Sequence, residues 1–244
     1  IKHPNCYDLL WNNVDKIHVI SDDIKSLLYT HGFTNQASVV KITPAIDVNY
    51  FTNESVNNTQ GLKTQMLTVA RLHWKKGLAY TLEALYELKQ KDYLFNYVII
   101  GDGPEIEHLK FLVHQLELTD IVSFKGQLKP QEVKELYEQS DIYIQYSVQE
   151  GFCNAVLEAQ AMGLLCVVSD AEGLSENVLH EQTGWVVPRR KPKLLAEQLQ
   201  NIMQLDESKT NSIIKQAHKR VLHTFNTEKQ IQAFKSFYNE PIKN

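Results

Sequence analysis

Short runs of apolar residues recur along the chain, and between them apolar positions fall three or four apart. The runs Lys16–Ile20, Ala37–Ile42, Gln65–Ala70, Asn96–Ile100, Ile121–Phe124, Ile142–Tyr146, Leu164–Val168 and Gly184–Val187 predict short strands. Ser21 is a natural N-cap for a helix over Asp22–Tyr29, with Asp22 and Asp23 in its first turn. Leu78, Leu82, Leu85 and Leu88 mark a second helix. Pro104, after Gly103, opens a third that runs to about Leu116. Helices follow over Pro130–Gln139 and after Gly151, then over Leu194–Met203, Asn211–Leu222 and Glu228–Tyr238, the last with a stripe of Ile231, Phe234 and Phe237. Thr52–Leu62 is polar and aperiodic and reads as a surface loop. Strand and helix alternate about six times, and the strands are apolar on both faces. That pattern predicts an α/β fold with a doubly wound parallel sheet.

Composition narrows the class. Of 244 residues, 43% are hydrophobic and 22% charged, as in a globular protein, and the net charge of −4 offers no general attraction to nucleic acid or anionic membrane. No apolar run approaches the roughly 20 residues that span a bilayer. The chain begins at Ile1 without a signal-peptide pattern, and reads as a fragment. Cys6, Cys153 and Cys166 suggest neither a disulfide framework nor a metal set, Cys166 reads as core, and a reducing cytoplasmic setting is expected. The nine histidines show no metal-ligand spacing, so no metal is expected.

Chemistry concentrates around Gln149–Gly163. Glu150 sits on a loop after an apolar strand, Gly151 feeds a helix, and Glu158 lies about a turn inside it. The helix start exposes backbone N–H groups that suit a phosphate, and both carboxylates are expected to face one crevice. Earlier in the chain Arg71 and Lys76 stand on a strand-to-helix turn, where cations reach an anion held near strand ends.

The stretch EGFCNAVLEAQAMG resembles the E-(x)7-E signature of the retaining nucleotide-sugar glycosyltransferases of family four. RLHWKKG is similar to that family's R-L-x-x-x-K-G, and GDGPE (101–105) to its G-D-G-P element. The resemblance implies the C-terminal half of a two-domain, Rossmann-like GT-B enzyme. Residues 1–45 would be a remnant of the N-terminal domain and the linker, 46–225 the nucleotide-sugar-binding domain, and 226–244 a helix crossing back onto the N-terminal domain. Most of that N-terminal domain, with its acceptor site and catalytic-site histidine, has no counterpart in this sequence.

By the same resemblance Arg71 and Lys76 bind the donor diphosphate, Glu150 holds donor-sugar hydroxyls and Glu158 the ribose, assisted by the amides of Gly151, Phe152 and Cys153. The turn at Gly126 would lie beside the base. The implied reaction moves a sugar from a UDP-, GDP- or ADP-sugar to a hydroxyl of a glycan, lipid-linked or small-molecule acceptor, with no cofactor and with no nucleic acid as partner. Four departures matter. Cys153 replaces a glycine and either narrows the pocket or points away, Ala45 replaces a linker glycine, and Ala171 and Glu172 depart from the family's glycine pattern ahead of the matching Glu176. The basic run Pro188–Lys193 reads as a solvated loop, with peripheral contact to the inner face of the membrane as the other reading. Two other functions compete: a sugar-nucleotide or phospho-ligand binding module without catalysis, and a glycoside hydrolase built on a carboxylate pair. The hydrolase gives no reason for Arg71 and Lys76.

Overall fold

The computed structural model describes residues 10–11, 13–34, 39–53 and 63–239. Cys6, the start of the expected 37–42 strand and most of the expected 52–62 loop lie outside the described residues.

A small parallel sheet pairs β1 (Ile17–Val19) with β2 (Val39–Lys41), and α1 (Asp22–Thr30) connects them. Ser21 caps α1 as the sequence predicts, its Oγ accepting from Ile24 N at 3.2 Å. The main sheet has six parallel strands: β3 (Thr64–Val69), β4 (Phe95–Ile100), β5 (Val122–Gly126), β6 (Ile142–Gln145), β7 (Leu165–Ser169) and β8 (Trp185–Val187). Their spatial order is β5-β4-β3-β6-β7-β8. The chain winds outward from β3 in one direction and, after crossing back, outward from β6 in the other. A switch point therefore lies between the C-terminal ends of β3 and β6, where an open α/β sheet leaves a crevice.

Alternation along each strand divides the core between the two faces. Met66, Ile142, Ile144, Leu165 and Val167 pack under α2 (Leu78–Lys89), α3 (Ile106–Gln115) and α7 (Pro192–Met203). Leu67, Tyr143, Cys166 and Val168 pack under α4 (Pro130–Glu138) and α5 (Asn154–Ala161). A short α6 (Leu174–Asn177), which periodicity could not reveal, follows β7. The helix α8 covers Glu207–Thr224, longer than the expected 211–222, because Asp206 caps it through Lys209 N at 2.8 Å. The last helix, α9 (Thr227–Asn239), lies against β1: Phe234 meets His18 edge-on at 4.9 Å and Lys16 Nζ donates to Phe237 O at 3.2 Å.

Two glycine-dependent approaches set the switch-point loops. Gly77, at φ 63°, closes the 3-10 turn Trp74–Lys76, and a Cβ there would stand 2.0 Å from Tyr146 O. The backbone amides of Val148 and Gln149 then donate to Lys75 O at 2.7 and 3.2 Å. The loop after β3 and the loop after β6 are thus one hydrogen-bonded unit. Gly77→Ala combines left-handed strain with a backbone clash, and should cost at least about 2 kcal/mol. That is a fall in Tm of roughly 4–8 °C for a chain of this size, measured by calorimetry.

The GDGP element serves the same loop. Cβ atoms at Gly101 and Gly103 would meet Ala70 O at 1.9 Å and Leu72 O at 2.2 Å. Leu72 N donates to Asp102 O and Glu105 N to Leu72 O. That last bond holds residues 104–105 in a turn, so α3 starts at Ile106 and Pro104 is not its first residue, contrary to the sequence expectation.

Candidate functional site

At the switch point a cavity of about 740 Å³ opens between α1 and the loops after β3 and β6. Arg71, Lys76, Glu150 and Gly151 line it together, with Asp23 and Leu27 of α1 on the opposite wall. Residues 74 to 80 positions apart in the chain converge because β3 and β6 are neighbours. Lys76 Nζ is ion-paired with Glu150 Oε2, and the two side chains are 23% and 12% exposed. Arg71 is exposed.

Neighbouring loops clamp the acidic turn. Arg189 Nη1 donates to Val148 O and to Glu172 Oε1, both at 2.9 Å, and Arg189 N donates to Asp170 Oδ1 at 2.8 Å. Burial pushes the Glu172 carboxyl up, but Arg189 and nearby amides, including that of Glu150, more than offset this and leave it lowered. Glu172 Oε2 is enclosed without reaching hydrogen-bond geometry. Within the basic run 188–193, Arg189 is thus tied to Glu172 and to Val148 O while its side chain stays 38% exposed. Gly173, at φ 78°, sits so close that a Cβ would be 1.9 Å from Gly151 O.

The α1 wall is tied down in turn. Asp23 Oδ2 accepts from Gly173 N at 2.8 Å, Asp22 N donates to Glu176 Oε1 at 2.6 Å, and Lys41 bridges Asp22 and Glu176. The glutamate that matched the family pattern holds the neighbouring segment, a role its motif did not reveal.

The other predicted residues lie off this cavity. Glu158 is not among the residues that line it. Side chains on α5 follow the helical turn, which directs Glu158 toward α4, where Tyr137 Oη donates to its Oε2 at 3.0 Å. Burial raises the Glu158 carboxyl, and the Tyr137 bond opposes that rise. Phe152 packs against Phe225 at 5.7 Å. Gly126 has φ 68° with open space around its Cα, and its carbonyl accepts from Gly101 N at 2.7 Å. Ala45 does not take a positive φ, so the missing linker glycine has no backbone consequence.

Cys153 buries its side chain in the core beneath α5 and does not line the cavity. Its amide is a correction to the sequence reading. Instead of standing free for a phosphate, the N–H donates to Asn177 Oδ1 at 3.2 Å, and Asn177 Nδ2 returns a bond to Cys153 O at 3.0 Å. Nothing in the motif marks Asn177 as the partner. Burial, with the Glu150 carboxylate adding to it, pushes the Cys153 thiol up to about 12 against the opposing pull of Lys76 and of the amides of Val156 and Ala155. Cys153 and Cys166 should therefore resist alkylation in the native protein at pH 8 and react once it is denatured. Site-resolved mass spectrometry reads this directly, and rapid native labelling of Cys153 would contradict it.

Among the described residues no group of three or more His, Cys, Asp or Glu is placed to hold a metal ion, and no helix is long and apolar enough to cross a membrane.

A doubly wound sheet with a charged cavity at its switch point defines a Rossmann-like ligand-binding domain. The chain belongs to the family of group 1 glycosyl transferases, whose model matches residues 51–220. It is 31% identical over 228 residues to WcaL of Salmonella typhimurium, named as a colanic acid biosynthesis glycosyltransferase, covering 91% of this chain and 56% of WcaL. WcaL of Escherichia coli K12 matches to the same extent. The chain thus spans a little over half the length of these relatives. Among solved structures, sucrose-phosphate synthase from Thermosynechococcus elongatus superposes with TM-score 0.86 at 22% identity, over 97% of this chain and 61% of that one. Anabaena HepE in complex with UDP and glucose superposes with TM-score 0.83 at 18% identity, over 92% of this chain and 63% of that one. The fold is that of GT-B glycosyltransferase structures.

Proposed function

We propose that this chain is the donor-binding part of a retaining glycosyltransferase that moves a sugar from a nucleoside-diphosphate sugar to an acceptor hydroxyl. The observation that carries the reading is the Lys76–Glu150 pair, with Arg71 beside it, in a cavity at the switch point. A nucleotide sugar has an anionic diphosphate next to a ring of hydroxyls. It can take the two partners apart: phosphate oxygens accept from Lys76 and Arg71, and Glu150, freed of its cation, accepts from sugar hydroxyls.

The hard part of the reaction is the departure of the diphosphate as charge grows on its bridging oxygen. Fixed cations and amides aimed there lower the barrier, and removing one such donor typically costs about 10²–10³ in rate. Arg71, Lys76 and the amides of Gly151 and Phe152 take that role, while Glu158 holds the ribose and Gly126 leaves room for the base. HepE, crystallised with UDP and with UDP-glucose, supports a nucleotide-sugar ligand. The relationship to WcaL, named for colanic acid biosynthesis, supports a glycan acceptor. The domain division at residues 45 and 225 belongs to the same proposal.

Binding stabilises the folded state, so a thermal-shift panel of UDP-, GDP- and ADP-sugars tests the first half. The matching diphosphate sugar should raise Tm by several degrees at millimolar concentration, and no shift with any of them contradicts the reading. Transfer is assayed on the chain joined to its N-terminal domain, where NMR of the product should show the donor's anomeric configuration kept. Binding without transfer in that complete protein would instead favour a binding module.

A further inference from the structure

Strand β6 breaks the rule for a buried parallel strand. On one face Ile142 and Ile144 are apolar, but the other face and the turn beyond it carry Tyr143, Gln145 and Ser147, all fully buried. Buried amides and hydroxyls are costly unless paired, and such breaches of local pattern concentrate at functional sites. These three are paired in series. Tyr143 Oη donates to Gln145 Oε1 at 3.0 Å, Gln145 Nε2 donates to Ser147 Oγ at 2.8 Å, and Ser147 Oγ donates to Glu150 Oε2 at 3.4 Å. At its far end Tyr143 Oη also lies 3.1 Å from Val69 O, two residues before Arg71.

The direction of the series follows from the orientation of the Gln145 amide, whose Nε2 faces Ser147 Oγ and whose Oε1 faces Tyr143 Oη. Gln145 fills an acceptor position on Ser147 Oγ, so the serine keeps its own hydrogen for Glu150. At 3.4 Å that last bond is long for O–H···O, and its acceptor Oε2 is also the partner of Lys76. Resting on the proposed function, we propose that Gln145 and Ser147 are positioning residues, which hold the Glu150 carboxylate on the cavity when Lys76 turns to the donor's diphosphate. With Lys76 withdrawn, a carboxylate only 12% exposed keeps one oriented donor beneath it, and that bond shortens. Ser169 Oγ donates to Ser147 O, which keeps the backbone of the relay in place.

The test compares UDP-, GDP- and ADP-glucose, each against its own diphosphate, by titration calorimetry on the wild-type chain, Ser147→Ala and Gln145→Met. The readout is the ratio of sugar-nucleotide to diphosphate affinity, using the pair that binds. Both variants should lower that ratio by roughly three- to tenfold, while diphosphate affinity stays within about twofold. An unchanged ratio overturns the proposal. So does an equal loss for both ligands, which marks a structural role, and the retained diphosphate affinity reports folding in the same experiment. If the wild-type chain binds the diphosphate and its sugar equally, the relay falls but the phosphate half of the reading stands. If it binds neither, the reading of the cavity itself is wrong.

Discussion

Lys76→Met is expected to lower the affinity of this chain for a nucleoside diphosphate by about a hundredfold, with little loss of folding. A charge-assisted bond from an ammonium to phosphate contributes about 1.5–3 kcal/mol, or 10- to 150-fold. Removing Lys76 also leaves Glu150, 12% exposed, unneutralised beside the bound anion, which places the effect in the upper part of that range. Methionine keeps the apolar stem, so the 3-10 turn and the Gly77 approach persist. Arg71→Met should weaken binding similarly, and its exposed side chain leaves no buried carboxylate behind. In the complete enzyme either change should slow transfer by about 10²–10³. Unchanged calorimetric affinity in both variants would remove the phosphate assignment.

The second large effect has opposite signs for stability and for binding. Burial raises the Glu158 carboxyl, so the folded chain holds that proton more tightly than the unfolded chain does. An acid with a raised folded pKa stabilises below its unfolded value, about 4.3, and loses that contribution as pH rises through the folded value. At pH 8 the charge therefore opposes folding, and Glu158→Gln should raise Tm. Near pH 4 and below, where Glu158 is protonated, the difference should vanish. Under the proposed ribose contact the same change weakens nucleotide binding by about tenfold, because a carboxylate accepts two hydroxyls and an amide oxygen does not match it. Tyr137→Phe should give a smaller loss of affinity, since it removes only the bond that orients the carboxylate. Scanning calorimetry from pH 4 to 8 with parallel titrations decides the case. A Tm that falls at pH 8 in Glu158→Gln would contradict it.

Much of the fold is written in local pattern. Period-two alternation at Met66/Leu67 and Leu165/Cys166 assigns the two faces of the sheet, and leucines from 78 to 88 assign the helix on one of them. The acidic and basic members of the cavity were also legible, because Arg71, Lys76 and Glu150 sit on strand-to-helix turns whose sequences resemble the family's motifs. What stayed hidden depends on partners distant in sequence. Nothing near Cys153 discloses that Asn177 occupies its amide, and a basic run looks solvated until Glu172 is found beside Arg189. Tyr137 reads as one residue of an apolar helix face, yet its hydroxyl is what meets Glu158. Glu172 and Ala171 signalled only a departure from glycine, while Gly173 stands where a Cβ would meet Gly151 O.

The most direct test of the central claim is a crystal structure of this chain with the nucleoside-diphosphate glucose that most stabilises it. The diphosphate should lie within hydrogen-bond reach of Arg71 and Lys76, the glucose hydroxyls on Glu150, and the Lys76–Glu150 pair should be open. A ligand bound elsewhere, or bound with that ion pair still closed, would contradict it.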